Sequence, residues 1–135
     1  MGDLTLNISR HELKCRCGEC NVRIQDHEPI IQIVQDVCDS FARKYGVPKV
    51  SLYITSAARC YEYNRIPIDE NGPGSNDESQ HPRCRAMDIQ LFINGAQVPP
   101  ALIYKYLCAK YPHKYGFGLY NSFVHADDRP IKARW

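Results

Sequence analysis

Two histidines and an aspartate in the second half of the chain are residue types that bind catalytic zinc. His81 ends a loop, and Asp88 lies just inside the strand predicted after it. His125 shares a face with Asp127 in a strand near the C-terminus, because side chains alternate along a strand. Met87 and its apolar neighbours should face the core, which leaves Asp88 on the more open face. Two histidines and a carboxylate on one sheet face match a catalytic zinc site with three protein ligands and a water. An isolated histidine on a strand is more often a surface or core residue, so spacing alone does not settle the assignment.

The surrounding patterns predict an α+β fold with a small, mainly antiparallel sheet and helices packed on one side. Apolar residues at helical spacing predict a helix over 28–45, which Gly46 and Pro48 end. Strands are predicted at 50–56, 86–93, 116–120 and 123–127, and a second helix between Pro99-Pro100 and Tyr111-Pro112. Residues 69–78 are rich in turn formers and are predicted to form a loop. Asn94-Gly95 predicts a tight turn.

Length and composition favour one folded domain over 1–135, with residues 1–27 as an irregular, cysteine-containing N-terminal segment. A net charge of +2 is too balanced to indicate a nucleic-acid partner. No apolar run is long enough for a membrane span. Since no secretory signal is visible, we expect synthesis in the cytoplasm.

The chain has seven cysteines, an odd number. Without a visible signal peptide, metal binding or burial is favoured over a disulfide scaffold for most of them. Cys15, Cys17 and Cys20 fall in one short turn, where a structural zinc would need a fourth ligand such as His11 or His27. A second zinc ion is therefore not expected there, and a reduced or partly disulfide-bonded turn is favoured.

Four motifs in order extend this interpretation over most of the chain. Ser79, His81, Ala86 and Asp88 fit a Ser-x-His-x-x-Gly-x-Ala-x-Asp pattern, with Cys84 in place of the glycine. Segment 116–129 fits Gly-x-Gly-x-Tyr-x-x-Phe-x-His-x-Asp-x-Arg. Segment 55–59, followed by Asn64, resembles a Thr-Ser-Gly-Tyr-Arg motif with a nearby asparagine. The opening segment 13–18, Leu-Lys-Cys-Arg-Cys-Gly, is the fourth motif. The sequence thus resembles the zinc D-Ala-D-Ala carboxypeptidases of peptidase family M15, especially small single-domain phage and bacterial members. The resemblance runs from about residue 10 to the end and implies a fold like that of these peptidases and of hedgehog signalling domains.

The resemblance also implies roles for individual residues. His81, Asp88 and His125 would bind one catalytic zinc ion. Arg59 would polarise the scissile carbonyl or hold a substrate carboxylate. Ser79 would bind substrate or brace its loop. For Asp127 three roles stand open: orienting a zinc ligand from behind, which is favoured, acting as general base, or pairing with an arginine.

Two positions depart from the family pattern. Well-characterised members carry an acidic general base where this chain has Ser122, and serine cannot take the water proton as a carboxylate can. Three alternatives follow. Asp127 or Asp128 acts as the general base instead, the metal and solvent remove the proton slowly, or the site no longer hydrolyses peptides. Cys84 replaces a glycine, and the cysteine is expected to fit there only if its φ is ordinary. A disulfide between Cys60 and Cys84, which flank the site, is an open alternative.

The implied function is a zinc metallopeptidase, a hydrolase of D-amino-acid peptide bonds in bacterial peptidoglycan. It would be a D-Ala-D-Ala carboxypeptidase or an endolysin-type endopeptidase that takes part in cell wall degradation as a monomer. The alternative is a non-catalytic zinc-binding module that binds the cell wall or a protein partner, as hedgehog domains illustrate. Arg59 and Ser79 favour the enzyme, whereas Ser122 favours the module. A nucleic-acid-binding zinc ribbon needs a second cysteine pair at ribbon spacing. The sequence has no such pair, so this class is excluded.

Overall fold

Six strands and three α-helices lie within residues 2–75 and 79–135, the part of the chain that the computed structural model describes. The helices are α1 (Pro29–Tyr45), α2 (Tyr61–Arg65) and α3 (Pro100–Lys110). The strands are β1 (Ser51–Ser56), β2 (Ala86–Ile93), β3 (Ala96–Gln97), β4 (Gly116–Leu119), β5 (Val124–Asp127) and β6 (Ala133–Arg134). Two short 3₁₀ turns, Arg10–Leu13 and Ile68–Glu70, complete the described elements.

The strands form one mixed sheet with the order β1-β2-β5-β4-β6, and β3 pairs with the end of β2. All pairings are antiparallel except β4 with β6, which is parallel. In the central pair, Asp88 of β2 lies opposite His125 of β5. The predicted α+β fold with a mainly antiparallel sheet is therefore confirmed.

The hydrophobic core lies between the sheet and the two longer helices. On β2 and β5, Met87, Ile89, Val124 and Ala126 are completely buried. The apolar stripe of α1 belongs to the same buried cluster, and α3 contacts β4 and β5. Since side chains alternate, packing this face fixes Asp88 and His125 on the opposite face.

The N-terminal segment has little regular structure but contributes to the core. Ile8, Leu13 and Ile24 have no exposed surface. The side-chain amide of Asn7 donates to the Val50 carbonyl oxygen at 2.8 Å. The segment is thus packed onto the rest of the fold.

The predicted longer elements agree with the structure to within a residue or two at each end. Asn94 and Gly95 both have positive φ, at 51° and 82°. Positive φ at both central residues is what a tight hairpin turn requires. The short elements α2, β3 and β6 were not predicted, since each has too few residues for a periodic pattern. Part of the predicted loop, residues 76–78, lies outside the described residues. Among the described residues, no helix is long and apolar enough to cross a membrane.

Candidate metal centre

The side chains of His81, Asp88 and His125 converge on the face of the sheet opposite the core. The Nε2 atom of His81 lies 3.3 Å from Oδ1 of Asp88. The Nδ1 atom of His125 lies 2.9 Å from the same oxygen. Each residue therefore offers one ligand atom to a common point, and the three could hold a metal ion.

The cluster is more enclosed than the sequence predicts. Asp88, expected on an open face, is only 7 % exposed, and His81 is 3 % exposed. The segments that carry Arg59 and His81 are joined beside the cluster, where the Arg59 backbone N–H donates to the His81 carbonyl oxygen at 3.2 Å.

His81 is prepared to ligate through Nε2. Its Nδ1–H donates to the Ala57 carbonyl oxygen at 2.5 Å. A carbonyl oxygen only accepts, so the proton is placed on Nδ1 and the lone pair on Nε2. Burial lowers the pKa of His81, which keeps the ring neutral at pH 7.

His125 lies between two carboxylates. Its Nε2–H donates to Oδ2 of Asp127 at 2.7 Å, on the ring edge opposite the nitrogen that faces Asp88. Burial alone would lower the pKa of His125, but the hydrogen bonds to Asp127 and Asp88 outweigh it and the pKa is raised. Metal-ligating histidines very often donate their other ring N–H to a carboxylate, which fixes the ring and its tautomer.

Asp127 is completely buried behind His125 and also forms a two-pronged ion pair with Arg129. Arg129 donates from Nε to Oδ1 at 2.7 Å and from Nη2 to Oδ2 at 2.6 Å. Burial opposes ionisation of Asp127, but the hydrogen bonds from His125 and Arg129 outweigh it and hold its pKa well below the usual range. Asp127 thus contacts both His125, a candidate ligand, and Arg129.

Arg59 lies in the loop after β1, beside the cluster. Its Nε donates to Ser56 Oγ at 3.0 Å, and its Nη1 donates to Ser75 Oγ at 3.0 Å. Its Nη2 lies 3.5 Å from Oδ2 of Asp88. Burial would raise the pKa of Asp88, but its interactions with the His125 and His81 rings outweigh burial and the pKa is lowered. Asp88 is therefore an anion at neutral pH, as a metal ligand must be.

Ser79 braces the loop that carries His81. Its Oγ accepts from the His81 backbone N–H at 3.2 Å. The side chain also lines the groove in front of the cluster, so the predicted substrate contact stays open to it.

Asp128 is committed elsewhere in the fold. Its Oδ2 accepts from the Ile30 backbone N–H at 3.0 Å, which caps the first turn of α1, and its Oδ1 pairs with Arg85 Nε at 2.5 Å. Its side chain has no exposed surface. This geometry does not support Asp128 as the substitute general base. Ser122 is exposed in the β4–β5 turn, where its carbonyl oxygen accepts from the amides of Gln90 and Gln97 at 2.8 and 2.7 Å.

The cluster opens onto a groove of about 530 Å³. Beyond the predicted residues, its walls include Tyr120, Phe123 and Trp135. The Tyr120 and Phe123 rings stack with centroids 4.4 Å apart, and the Trp135 indole lies 5.1 Å from the His125 ring. The Tyr-x-x-Phe spacing signals the first pair in the sequence, but no local pattern places the C-terminal Trp135 beside His125.

Three expectations about the cysteines need correction. Cys84 has φ +57°, in the left-handed region that favours glycine, so its φ is not ordinary. Cys60 and Cys84 are both free thiols, so the alternative of a disulfide between them is wrong. Finally, the Sγ atoms of Cys15, Cys17 and Cys20 meet Cys60, not His11 or His27. His27 is 80 % exposed in its side chain and lies 3.4 Å from Glu28. Cys60, which the sequence analysis did not consider, is thus the candidate for a fourth ligand.

The donor set of the His81–Asp88–His125 cluster fits zinc. Zinc takes imidazole nitrogen at about 2.0–2.1 Å and carboxylate oxygen at about 2.0–2.2 Å, so a tetrahedral site separates its ligand atoms by about 3.3 Å. The observed distances of 3.3 and 2.9 Å are close to this value. A tetrahedral ion held by these two nitrogens and one oxygen would have one further position for water or substrate.

Comparison with known proteins agrees with this geometry. A family model described as Peptidase M15 matches residues 6–127, most of the chain and all of the cluster. Comparisons with curated proteins and with solved structures gave no match. The zinc peptidases of this family require the kind of metal centre that His81, Asp88 and His125 could form. On the extent of that match, the chain belongs to the M15 peptidase family.

Proposed function

We propose that the protein is a zinc-dependent peptidase that hydrolyses D-amino-acid peptide bonds in the stem peptides of bacterial peptidoglycan. The observation that carries the proposal is the convergence of His81, Asp88 and His125 at the wall of a groove that Arg59 also lines. The proposal places the site of action at the bacterial cell wall, with the protein acting as a monomer.

In this proposal the three clustered residues hold the zinc ion. His81 contributes Nε2 and His125 contributes Nδ1, because their other nitrogens are engaged by Ala57 and Asp127. When bound, zinc acts as a Lewis acid that polarises the scissile carbonyl and makes a water molecule acidic. The enclosure of the ligands supports this chemistry, since charge interactions are stronger where water is excluded.

Arg59 binds the substrate in this proposal. Its guanidinium is held by Ser56 and Ser75 and faces the same groove as the metal ligands. A guanidinium binds a carboxylate or a carbonyl oxygen through several donors at once. In a carboxypeptidase Arg59 would hold the terminal carboxylate of D-Ala-D-Ala, and in an endopeptidase it would hold an internal carbonyl oxygen.

Asp127 acts through His125. Its carboxylate has no exposed surface and accepts hydrogen bonds from both His125 and Arg129. It is therefore placed to hold the imidazole in position, not to take a proton from water in the groove. With Ser122 in place of the family's acid, we expect proton removal by solvent and a slower turnover than in relatives that carry the acid.

The test combines metal content with release of amino groups from purified peptidoglycan, with and without a chelator. We expect chelator-sensitive release from the wild type, and loss of both release and the corresponding zinc ion in His81→Ala. His27→Ala, which removes an exposed histidine, is the matched control and should behave as the wild type. Full metal retention in His81→Ala would overturn the ligand assignment. Release of free D-alanine would identify a carboxypeptidase, and new internal amino termini an endopeptidase.

Ser122 favours a second candidate, a zinc-binding module that binds the cell wall without hydrolysis. Among the described residues that line the groove, Asp88 is the only carboxylate, and it is a proposed ligand. Co-sedimentation with insoluble peptidoglycan, combined with no release from walls of several chemistries, would favour this module over the enzyme.

A further inference from the structure

Four cysteine side chains meet at a second point, away from the groove. Cys15, Cys17 and Cys20 come from the N-terminal segment, and Cys60 comes from the loop after β1. We call these four residues the thiol cluster. All four are free thiols, and their sulfur atoms lie within 4.8 Å of one another.

The sulfur separations are those of a tetrahedral metal site. Zinc–thiolate bonds of about 2.3 Å place sulfur atoms about 3.8 Å apart around a tetrahedron. The Sγ atoms of Cys15 and Cys60 are 3.9 Å apart, as are those of Cys17 and Cys60, and the Cys17–Cys20 separation is 3.4 Å. A disulfide bond would require about 2.05 Å.

The backbone around the thiol cluster is shaped to present sulfur. The backbone N–H groups of Glu19, Cys60 and Tyr63 donate to the sulfurs of Cys17, Cys15 and Cys60 at 3.4, 3.3 and 3.4 Å. Such donors stabilise sulfur that carries negative charge. Gly18 has φ +77°. Glycine adopts this conformation without steric cost, which lets the Cys17–Cys20 turn close tightly.

Pairing on both sides of the turn holds it in place. Lys14 and Arg23 form an antiparallel bridge, and the Cys15 backbone N–H donates to the Val22 carbonyl oxygen at 2.8 Å. The three cysteines therefore lie at the tip of a short hairpin, with Cys60 brought to them by the main fold. This is a closed arrangement of four protein ligands.

We propose that Cys15, Cys17, Cys20 and Cys60 bind a second, structural zinc ion. Four thiolates with no open position are a ligand set typical of structural zinc, whereas the His81–Asp88–His125 cluster keeps a position open. The ion ties the N-terminal segment to the loop that carries Arg59.

The first test is elemental analysis of protein purified from zinc-supplemented cells with a reductant and without chelators. The wild type should hold one more zinc ion than Cys60→Ser. Cys108→Ser, which removes a thiol in α3 outside the cluster, is the matched control and should keep the wild-type content. His81→Ala should lose an ion at the other site and keep this one, so the two metal proposals fail or succeed separately.

A second measurement uses the wild-type protein, so it does not require the Cys60→Ser variant to fold. Cobalt substituted into the wild type should give the strong near-ultraviolet absorption of thiolate-to-cobalt charge transfer. This absorption should persist in His81→Ala. Equal zinc in wild type and Cys60→Ser, absence of the charge-transfer band, or iron in place of zinc would overturn the proposal. So would a finding, by thiol titration of the denatured protein, that these four cysteines are joined in disulfides without metal.

Discussion

Replacing Asp127 with alanine separates two roles that the sequence leaves open. The carboxylate is fully buried and accepts from His125 Nε2 at 2.7 Å and from Arg129 at 2.6 and 2.7 Å. If it orients His125, its removal should weaken zinc binding. If it is a general base, zinc binding should survive and only turnover should fall.

The size of both expected losses, in zinc affinity and in stability, follows from the two residues that lose their hydrogen-bond partner, His125 and Arg129. Removing the carboxylate next to a metal-ligating histidine typically weakens metal affinity about 10- to 100-fold, which is about 1.4–2.7 kcal/mol. Breaking a buried ion pair by removing one partner costs about 3–5 kcal/mol of stability. The Arg129 side chain is 25 % exposed and can recover water. We therefore expect the lower end of that range, about 3 kcal/mol.

The assay is competition for zinc with a chromophoric chelator of known affinity, alongside urea unfolding and turnover at saturating zinc. Asp127→Ala should bind zinc at least about tenfold more weakly and unfold at lower urea, with turnover partly restored by excess zinc. Asp69→Ala, at an exposed aspartate, is the control and should match the wild type. Wild-type zinc affinity with a loss of turnover of about 10²-fold or more would refute the orienting role and establish a base.

Two further substitutions and one chemical modification test the scaffold. Asp128→Ala removes the cap on Ile30. It should lower the free energy of unfolding by about 2–4 kcal/mol in urea, with zinc content and turnover unchanged. Gly118→Ala places a Cβ against the Trp135 indole at less than van der Waals separation, so it should displace the ring and shift the fluorescence of this sole tryptophan. The same change should cost about 1–3 kcal/mol of stability in urea unfolding. Cys38 is only 1 % exposed, and this burial raises the pKa of its thiol to about 12. Iodoacetamide should therefore modify Cys38 only after unfolding, as read by mass spectrometry.

The parts of the fold that short-range patterns encode could be predicted from the sequence. The stripe of α1 and the alternation in β2 each repeat over enough residues to define an element and its buried face. The same alternation puts Asp88 and His125 on the face away from the core, whereas the full ligand set, which includes His81 on a loop, rests on the family resemblance. The register that places them opposite each other depends on packing between the strands, which the pattern does not specify.

The contacts that complete each site join residues far apart in the chain. Asp128 caps a helix whose first turn lies near residue 30, and Cys60 completes a cluster that begins at Cys15. No local spacing signals such a pair. The sequence therefore offers only residues near the three cysteines, such as His11 and His27, as candidates for the fourth ligand. Cys84 shows another limit, because tertiary context holds it at φ +57°. That conformation costs a non-glycine residue about 1–3 kcal/mol, so propensity alone disfavours it.

The groove and the thiol cluster are connected through the dipeptide Arg59–Cys60. The Arg59 guanidinium faces the groove, while the next residue turns its sulfur toward Cys15, 3.9 Å away, and accepts the Tyr63 backbone N–H at the first turn of α2. The direction of one side chain constrains the backbone of the other, because neighbouring residues share a peptide plane. A zinc ion in the thiol cluster would therefore restrict the position of Arg59 without contacting substrate. This arrangement gives a physical reason for cysteine at position 60: it stabilises the loop that must hold a buried cation in the wall of the groove.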